Sequence, residues 1–287
     1  MSAVAATERP SRMAVLASEA RKLPAFVRRD FLVAWSYRVS FITDIVGLVS
    51  ATVVFYFVGK MVDPGKVPSI AGTHVTYLEF AAIGMALGGF MHLGLERVST
   101  ALRGEQLMGT LESVLATRTA PTTIQVGSVL FDLIFIPIRM ALLLTALAVT
   151  FGLGVRPEGV PKALLILVAF VPFVWGLGVV SAAITLTVRR GGGSLVNLST
   201  LALTLGSGVY FPVALLPGWV SHTASGNPVA LAIDGMRDAL LANAGWGSIA
   251  PKAALLAPMA IVSLALGTAA FRFALNRERR RGTVAMY

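Results

Sequence analysis

The chain has 287 residues, of which 56% are hydrophobic and 13% are charged, and its mean hydropathy is +0.78. A soluble domain carries roughly 25% charged residues, so this composition nearly excludes a soluble enzyme and is typical of a chain whose main solvent is lipid. The charge is basic, with 24 Lys and Arg against 14 Asp and Glu. Such an excess indicates nucleic-acid binding in a soluble chain, but in a membrane protein it collects in cytoplasmic loops. We therefore expect no nucleic acid.

Residue types that hold metals or nucleotides are scarce. There is no cysteine, and the histidines His74, His92 and His222 lie far apart, so no disulfide, thiolate nucleophile or short-spaced metal motif is available. The phosphate-loop pattern G-x-x-x-x-G-K-S/T does not occur. Lys60 and Lys66 each follow a glycine, but their contexts FVGKM and VDPGKVPS lack both the Ser or Thr after the lysine and the earlier glycine. We expect no metal, no catalytic site and no nucleotide bound by this chain.

Residues 1–38 form a polar, basic leader. Its segment SEARKLPAFVRRDFLVAW has apolar residues on one helical face, namely Leu23, Phe26, Val27, Phe31 and Ala34. Basic residues lie toward the other face, namely Arg21, Lys22, Arg28 and Arg29. The pattern predicts an interfacial helix on anionic lipid, with Phe26, Arg28, Arg29 and Phe31 as characteristic contacts. Asp30 interrupts the apolar face, and a solvated basic leader is the alternative.

Six stretches are long and apolar enough to cross a bilayer, which takes about 20 helical residues. Their approximate bounds are 39–59, 75–95, 129–153, 163–188, 195–216 and 253–275. Residues 39–287 are thus predicted to form a six-helix transmembrane domain. An even number of spans places both termini on one side, and that side holds 17 basic residues against six on the other. Because basic loops stay in the cytoplasm, both termini are predicted to be cytoplasmic.

The inner connection, residues 96–128, has helical periodicity. In RGEQLMGTLESVLATRTAP, a stripe at positions i, i+4, i+7 and i+8 consists of Leu107, Leu111, Val114 and Leu115, and Pro121 closes the segment. This spacing predicts a short amphipathic helix. It is expected either to dock into a groove on a soluble partner or to pack on the inner face of its own bundle.

Five ionisable residues lie inside the predicted spans: Asp44, Glu79, His92, Asp132 and Arg139. Each is costly in lipid and should face protein, water or an interface. Asp44 and Glu79 are near span ends and can reach headgroups. Asp132 and Arg139 are about 10 Å apart along a helix axis, so they cannot pair with each other. We expect Arg139, near the centre of its span, to face the bundle interior.

The second span also contains a pair of glycines at helical spacing. Gly84 and Gly88 form a G-x-x-x-G pattern. In membrane helices such a pair lets a neighbouring backbone approach closely, although the pattern is common by chance. The prediction is limited to a close contact at this face.

Two segments resemble those of ABC-2 type exporter permeases. The inner one comprises Gly104-Glu105, GTLESVLAT and Pro121. The outer one, GVYFPVALLPGWVSHTASGNPVALAIDGMRDALL, has the family's P…LP…NP…D..R pattern at Pro212, Leu216, Pro217, Asn227, Pro228, Asp234 and Arg237. The six spans, inside termini and basic leader also match, so the resemblance covers nearly the whole chain. One departure is Arg118-Thr119-Ala120, where many members have Thr-Pro directly after the helix.

The resemblance implies a fold and roles. The fold is an all-α integral membrane protein with six transmembrane helices, an N-terminal interfacial helix, a cytoplasmic coupling helix and short re-entrant extracellular helices before the last span. The leader also touches a separate ATPase subunit, and the re-entrant helices cap the pathway. Coupling to the ATPase is assigned to Glu105, Leu107, Leu111, Glu112 and Leu115.

These expectations describe the permease subunit of an ATP-driven exporter in the cytoplasmic membrane. Two permeases, as a homodimer or heterodimer, line the pathway, and two ATPase subunits carry ATP and Mg. The apolar spans suit a drug or lipid substrate. A permease for lipid-linked polysaccharide shares the fold and is the alternative. An integral-membrane lipid enzyme fits less well because no nucleophile constellation lies at a membrane face, and a passive channel would not need the coupling motif.

Overall fold

The computed structural model describes residues 20–36, 38–62, 67, 69–107, 121–188, 192–215, 217–218, 221 and 226–281. Its helices are α1 Leu23–Ser36, α2 Arg38–Met61, α3 Tyr77–Leu107, α4 Pro121–Phe151, α5 Val160–Thr187, α6 Gly192–Leu205, α7 Pro228–Leu240 and α8 Trp246–Arg281. Short 3-10 helices cover Pro157–Gly159 and Val213–Leu215. In these ranges the extended structure is a single bridge between Ile70 and Thr73, so the predicted all-α class is confirmed.

A helix stands at each predicted span, but the helices differ in length. Two segments in the described ranges, Pro157–Thr187 and Trp246–Arg277, are long and apolar enough to cross a membrane by length and composition. By contrast, α6 has 14 residues and is about 21 Å long at 1.5 Å per residue. A hydrocarbon core is about 30 Å thick. The predicted fifth span, 195–216, is therefore wrong in its outer half, because its helix ends at Leu205.

Helix α5 is the centre of the bundle and packs against α3, α7 and α8. Small residues bring α5 and α8 together. A Cβ atom on Gly176 would clash with Ser263, and one on Gly267 would lie 2.5 Å from the carbonyl oxygen of Gly176. The Ser263 hydroxyl donates a hydrogen bond of 2.9 Å to the carbonyl of Phe173. Close backbone approach is what drives helix association in lipid, so this pair is fixed over most of its length.

The connections that were assigned to the outer side meet at one end of the bundle. The backbone N–H of Gly154 donates to Glu79 Oε1 at 3.1 Å. The N–H of Arg156 donates to the carbonyl of Leu240 at 2.8 Å. The start of α3, the α4–α5 connection and the end of α7 are thereby tied together. The distribution of basic residues predicts that these connections lie on the side opposite the termini, and we call this end of the bundle the outer end.

Glu79 has a structural role at this end. Its carboxylate accepts from the backbone N–H of Thr76 at 2.7 Å, and its own N–H donates to Thr76 Oγ1 at 3.3 Å. This reciprocal pair is a capping box that satisfies donors at the start of α3. Glu79 was expected to face protein, water or an interface, and its carboxylate binds protein backbone; contact with lipid headgroups stays a prediction.

Helix α1 packs along α4 and buries Asp30, the residue that interrupts its predicted apolar face. Asp30 is 8% exposed, whereas Phe31 is 49% exposed. Arg29 donates to the buried carboxylate, with Nε and Nη2 each 2.9 Å from Oδ1. Phe26 is half-buried, while Phe31 stacks on the exposed ring of Trp35. The prediction of a single apolar face on this helix is therefore corrected. Because α4 covers part of the helix, Asp30 is buried and Phe31 is exposed.

Candidate functional site

In place of the outer half of the predicted fifth span, the chain forms a turn, and the short helix α7 follows further along. Residues 206–210, which we call the outer turn, follow α6. Gly208 in this turn has φ +71°, a left-handed conformation that glycine adopts without steric cost. The 3-10 helix at Val213–Leu215 and then α7 come next. Such an interruption leaves backbone carbonyls without helical partners, and at membrane depth protein or water must bind them.

Arg237 binds carbonyls of the outer turn and of α3. Its side chain is buried, with the residue 2% exposed. Nη2 donates to the carbonyls of Gly208 at 2.9 Å and Val209 at 3.2 Å. Nε and Nη2 also donate to the carbonyl of Phe80, at 3.1 and 2.9 Å, and the guanidinium lies 3.4 Å from the centre of the Phe80 ring. One cation thus joins α7, α3 and the outer turn.

Electrostatics favour the carbonyls over the carboxylate as the main partners of Arg237. Asp234, one turn earlier in α7, has Oδ1 3.6 Å from Nη1, and its side chain is 57% exposed. This contact is longer than the hydrogen bonds of the guanidinium to the carbonyls, and the carboxylate, unlike the guanidinium, is open to its surroundings. The side chain of arginine is not deprotonated in proteins. The guanidinium therefore remains charged at neutral pH.

The G-x-x-x-G pair of the second span faces the outer turn. A Cβ atom on Gly84 would clash with the carbonyl oxygen of Val209 and lie 2.8 Å from Arg237 Nη2. A Cβ atom on Gly88 would lie 3.4 Å from both γ carbons of Val209. The predicted close contact exists, but its partner is a turn. Glycine at 84 is what allows Arg237 and Val209 to meet against α3.

Asn227 and Pro228 of the family pattern begin α7. Asn227 Oδ1 accepts from the N–H of Val229 at 2.9 Å, an N-cap, and Pro228 occupies the first turn, where its missing N–H costs nothing. The Asn227 amide also donates to Ser207 Oγ at 3.0 Å. The start of α7 is therefore tied to the outer turn as well.

The outer turn has a third attachment, to α2 and to the beginning of α3. The Tyr77 hydroxyl donates to the carbonyl of Tyr210 at 3.0 Å. The Phe55 ring of α2 stacks on the Tyr210 ring, with centroids 5.4 Å apart and planes 10° apart. Side chains of α2, α3 and α7 thus contact the five-residue outer turn.

Helix α7 lies alongside the outer half of α5 and runs in the opposite direction. A Cβ atom on Gly159 would clash with the carbonyl of Ala239, and one on Gly235 would lie 2.8 Å from Ile166 Cδ1. Pro228 shares a groove with Phe173, further along α5. With 13 residues, α7 is about 20 Å long. It therefore begins part-way into the bundle, near Phe173, and ends at the outer end.

The remaining predicted site residues are not brought to this site. Glu105 and Leu107 are in the last turn of α3, beyond the predicted span end at 95. Leu111, Glu112 and Leu115 lie outside the described residues, so the coupling surface stays a prediction. Pro212 is half-buried and Pro217 is exposed. Asp132 and Arg139 both lie on α4, and Arg139 is half-buried.

Sequence reasoning grouped Asp234 with Arg237 but missed the carbonyl partners. Periodicity describes one helix at a time, whereas Phe80 is 157 positions from Arg237. A usable signal was a single arginine in the apolar segment VALAIDGMRDALL, since a charge there needs several acceptors. The buried hydrogen bond between the hydroxyls of Ser99 and Ser181, 2.7 Å, was missed for the same reason.

The described residues thus combine two helices of membrane length with an interrupted helix and a buried cation on backbone carbonyls. The family model of ABC-2 type transporters matches residues 21–241, which include α1 to α7. The chain belongs to the ABC-2 type transporter family, as its two motifs indicated. It is a permease component, not itself the ATPase, of a transporter class that works with an ATP-binding partner. No curated protein matches the chain.

Proposed function

We propose that this permease exports a hydrophobic or amphipathic substrate, a drug or a lipid, outward across the cytoplasmic membrane. The observation that carries the proposal is the interrupted fifth span. A helix that only anchors a protein gains nothing from a break at Leu205. Broken helices at membrane depth are typical of segments that border a transport pathway.

The apolar surface of α6 supports an apolar substrate. Its buried residues are Gly192, Val196 and Thr200, and its large exposed side chains are Leu195, Leu198, Leu201 and Leu205. A second permease, in a homodimer or heterodimer, would enclose a space between two such faces. Binding there would depend on apolar contact area rather than on charge.

Energy would come from ATP and Mg on two copies of a separate ATPase subunit. The proposed coupling surface is Glu105, Leu107, Leu111, Glu112 and Leu115 in the inner connection. Continuation of α3 to Leu107, beyond the predicted end of the span, supports a rigid link from the bundle to that surface. Both termini would be cytoplasmic, as the distribution of basic residues predicts.

A matched pair of substitutions tests the coupling. Leu111→Asp places a charge in the predicted apolar stripe, whereas Ser113→Asp places it outside the stripe. The complex is purified through the permease, and ATP-driven movement of a fluorescent phospholipid and of a cationic dye is measured in proteoliposomes. We expect Leu111→Asp to insert but to lose the ATPase, and Ser113→Asp to retain it. Normal association and turnover in Leu111→Asp would remove the coupling assignment, and movement of neither probe would remove the proposed substrate class.

A further inference from the structure

Arg237 joins two elements, α7 and the outer turn, that differ in how they are held to the rest of the bundle. Its own helix, α7, is fixed to α5 through a buried face that includes Val229, Ile233 and Met236, and to α8 through a 2.6 Å ion pair between Asp238 and Lys252. The outer turn, in contrast, continues α6, a short helix with large exposed leucines. Elements with less buried packing open at lower free energy, so the segment that α6 carries is expected to move rather than α7, and its movement also breaks the Tyr77–Tyr210 and Asn227–Ser207 hydrogen bonds of the buried outer turn.

We infer that Arg237 is a positioning residue that latches the outer turn against α3 and so closes the outer end of the pathway, and that export requires the turn to leave α3. The inference rests on the proposed function, since it assigns a step of export to this site. Three carbonyls, of Phe80, Gly208 and Val209, share the guanidinium. Two of the three belong to the outer turn, so moving it breaks a defined set of contacts.

The latch is reversible because of the kind of bond that it uses. Charge-assisted hydrogen bonds are among the stronger ones in proteins, and burial excludes the water that would compete for the guanidinium. When the turn leaves α3, water entering the outer end can bind the same donors. The charge of Arg237 is present in both states, so no proton has to be exchanged for the latch to open.

Accessibility of Val209 tests the latch without substrate or ATP. The chain contains no cysteine, so Val209→Cys introduces a unique thiol at a position that is 1% exposed. The complex is treated with a small hydrophilic maleimide, alone and after adding Arg237→Met or Gly84→Ala. We expect either change to raise the labelling rate about tenfold, because the rate follows the population of the open turn. Arg237→Lys, which keeps the charge, should fall between.

The control is Gly89→Ala, because a Cβ atom there meets nothing within 4 Å. It should leave the labelling rate unchanged, and monodispersity by gel filtration shows which variants are folded. Gly84→Ala retains Arg237, so it carries the test if Arg237→Met does not assemble. Equal labelling in all the folded variants would overturn the latch.

A disulfide between α3 and the outer turn tests its role in export. A Cβ atom at 88 lies 3.4 Å from the γ carbons of Val209, within reach of a disulfide. The control pair is Gly94→Cys with Val174→Cys, where the Cβ atoms are 3.7 Å apart between α3 and α5.

We expect the Gly88→Cys, Val209→Cys disulfide to stop ATP-driven movement of the fluorescent phospholipid, and dithiothreitol to restore it. The control disulfide should leave most of the movement. Full movement with the first disulfide quantitatively formed would overturn the inference. If the reduced protein moves no probe, the proposed export fails, while the Val209→Cys labelling still decides whether Arg237 holds the turn.

Discussion

The α5–α8 pair and the α6–outer turn segment solve the same problem, a stable backbone among apolar surroundings, in different ways. The first uses small residues, so that Gly176 and Gly267 bring two complete helices into contact. The second stops its helix at Leu205 and satisfies the exposed carbonyls with Arg237. Packing that is spread over many atoms is hard to undo, whereas a few directed bonds can be broken together. The comparison separates a part of the permease that close packing holds together from a part that a few directed bonds hold in place.

The largest loss of thermal stability is expected from Gly176→Ala. Its Cβ atom would meet the Ser263 side chain and the α8 backbone, and overpacking of a tight core costs on the order of 1–3 kcal/mol. The matched change is Gly193→Ala at the start of α6, where a Cβ atom meets nothing within 4 Å and no loss of stability is expected. Thermal melting in detergent should fall for the first and not for the second. If Gly176→Ala and Gly193→Ala melt at the same temperature, the α5–α8 contact is no more tightly packed than α6, which contradicts the comparison.

Next comes Arg237→Met, which keeps the length of the side chain but leaves the carbonyls of Gly208 and Val209 without their donor. An unsatisfied buried polar group costs about 1–3 kcal/mol. Arg237→Lys retains the charge and should lose less. Melting temperatures in the order wild type, Lys, Met are expected. A Met variant as stable as wild type would show that other groups bind these carbonyls.

A smaller loss is expected from Asn227→Ala, which removes the N-cap of α7 and the donor to Ser207. Loss of an N-cap costs about 1 kcal/mol. Ser207→Ala removes the tie to the outer turn, together with the hydrogen bond from the Ser207 hydroxyl to the carbonyl of Leu203, but keeps the cap. A larger loss in Asn227→Ala than in Ser207→Ala is therefore the contribution of the cap. If Ser207→Ala costs as much as Asn227→Ala, the tie rather than the cap is the main contribution.

The smallest effect is expected from Asp234→Asn, because this carboxylate is largely exposed and 3.6 Å from Arg237. The contact is long and open on the side of the carboxylate, so we expect a small loss of stability that salt reduces further. Asp238→Asn should cost more, since Asp238 is less exposed and 2.6 Å from Lys252. Melting at low and high salt measures both. A larger loss in Asp234→Asn would move the main partner of Arg237 from the carbonyls to the carboxylate.

The sequence predicts where helices stand but not where one stops short. Long apolar runs predict the positions of the helices, because a helix makes its backbone hydrogen bonds within its own segment, as lipid requires. The run through YFPVALLPGW stays apolar whether its backbone is helical or turned, so hydropathy extended the fifth span past Leu205. Asp30 was read as a flaw in an apolar face because the covering helix α4 is invisible to periodicity. The same limit concealed the carbonyl partners of Arg237.

The most direct test of the central claim follows one thiol during turnover. In the complex of the permease with its ATPase, the maleimide labelling rate of Val209→Cys is compared without nucleotide and during ATP hydrolysis, with Ala260→Cys, a buried position in α8, as the fixed reference. The account predicts that ATP turnover accelerates labelling at position 209 and leaves position 260 unchanged. Equal rates at position 209 in both conditions, with hydrolysis confirmed, would contradict an outer turn that opens during export.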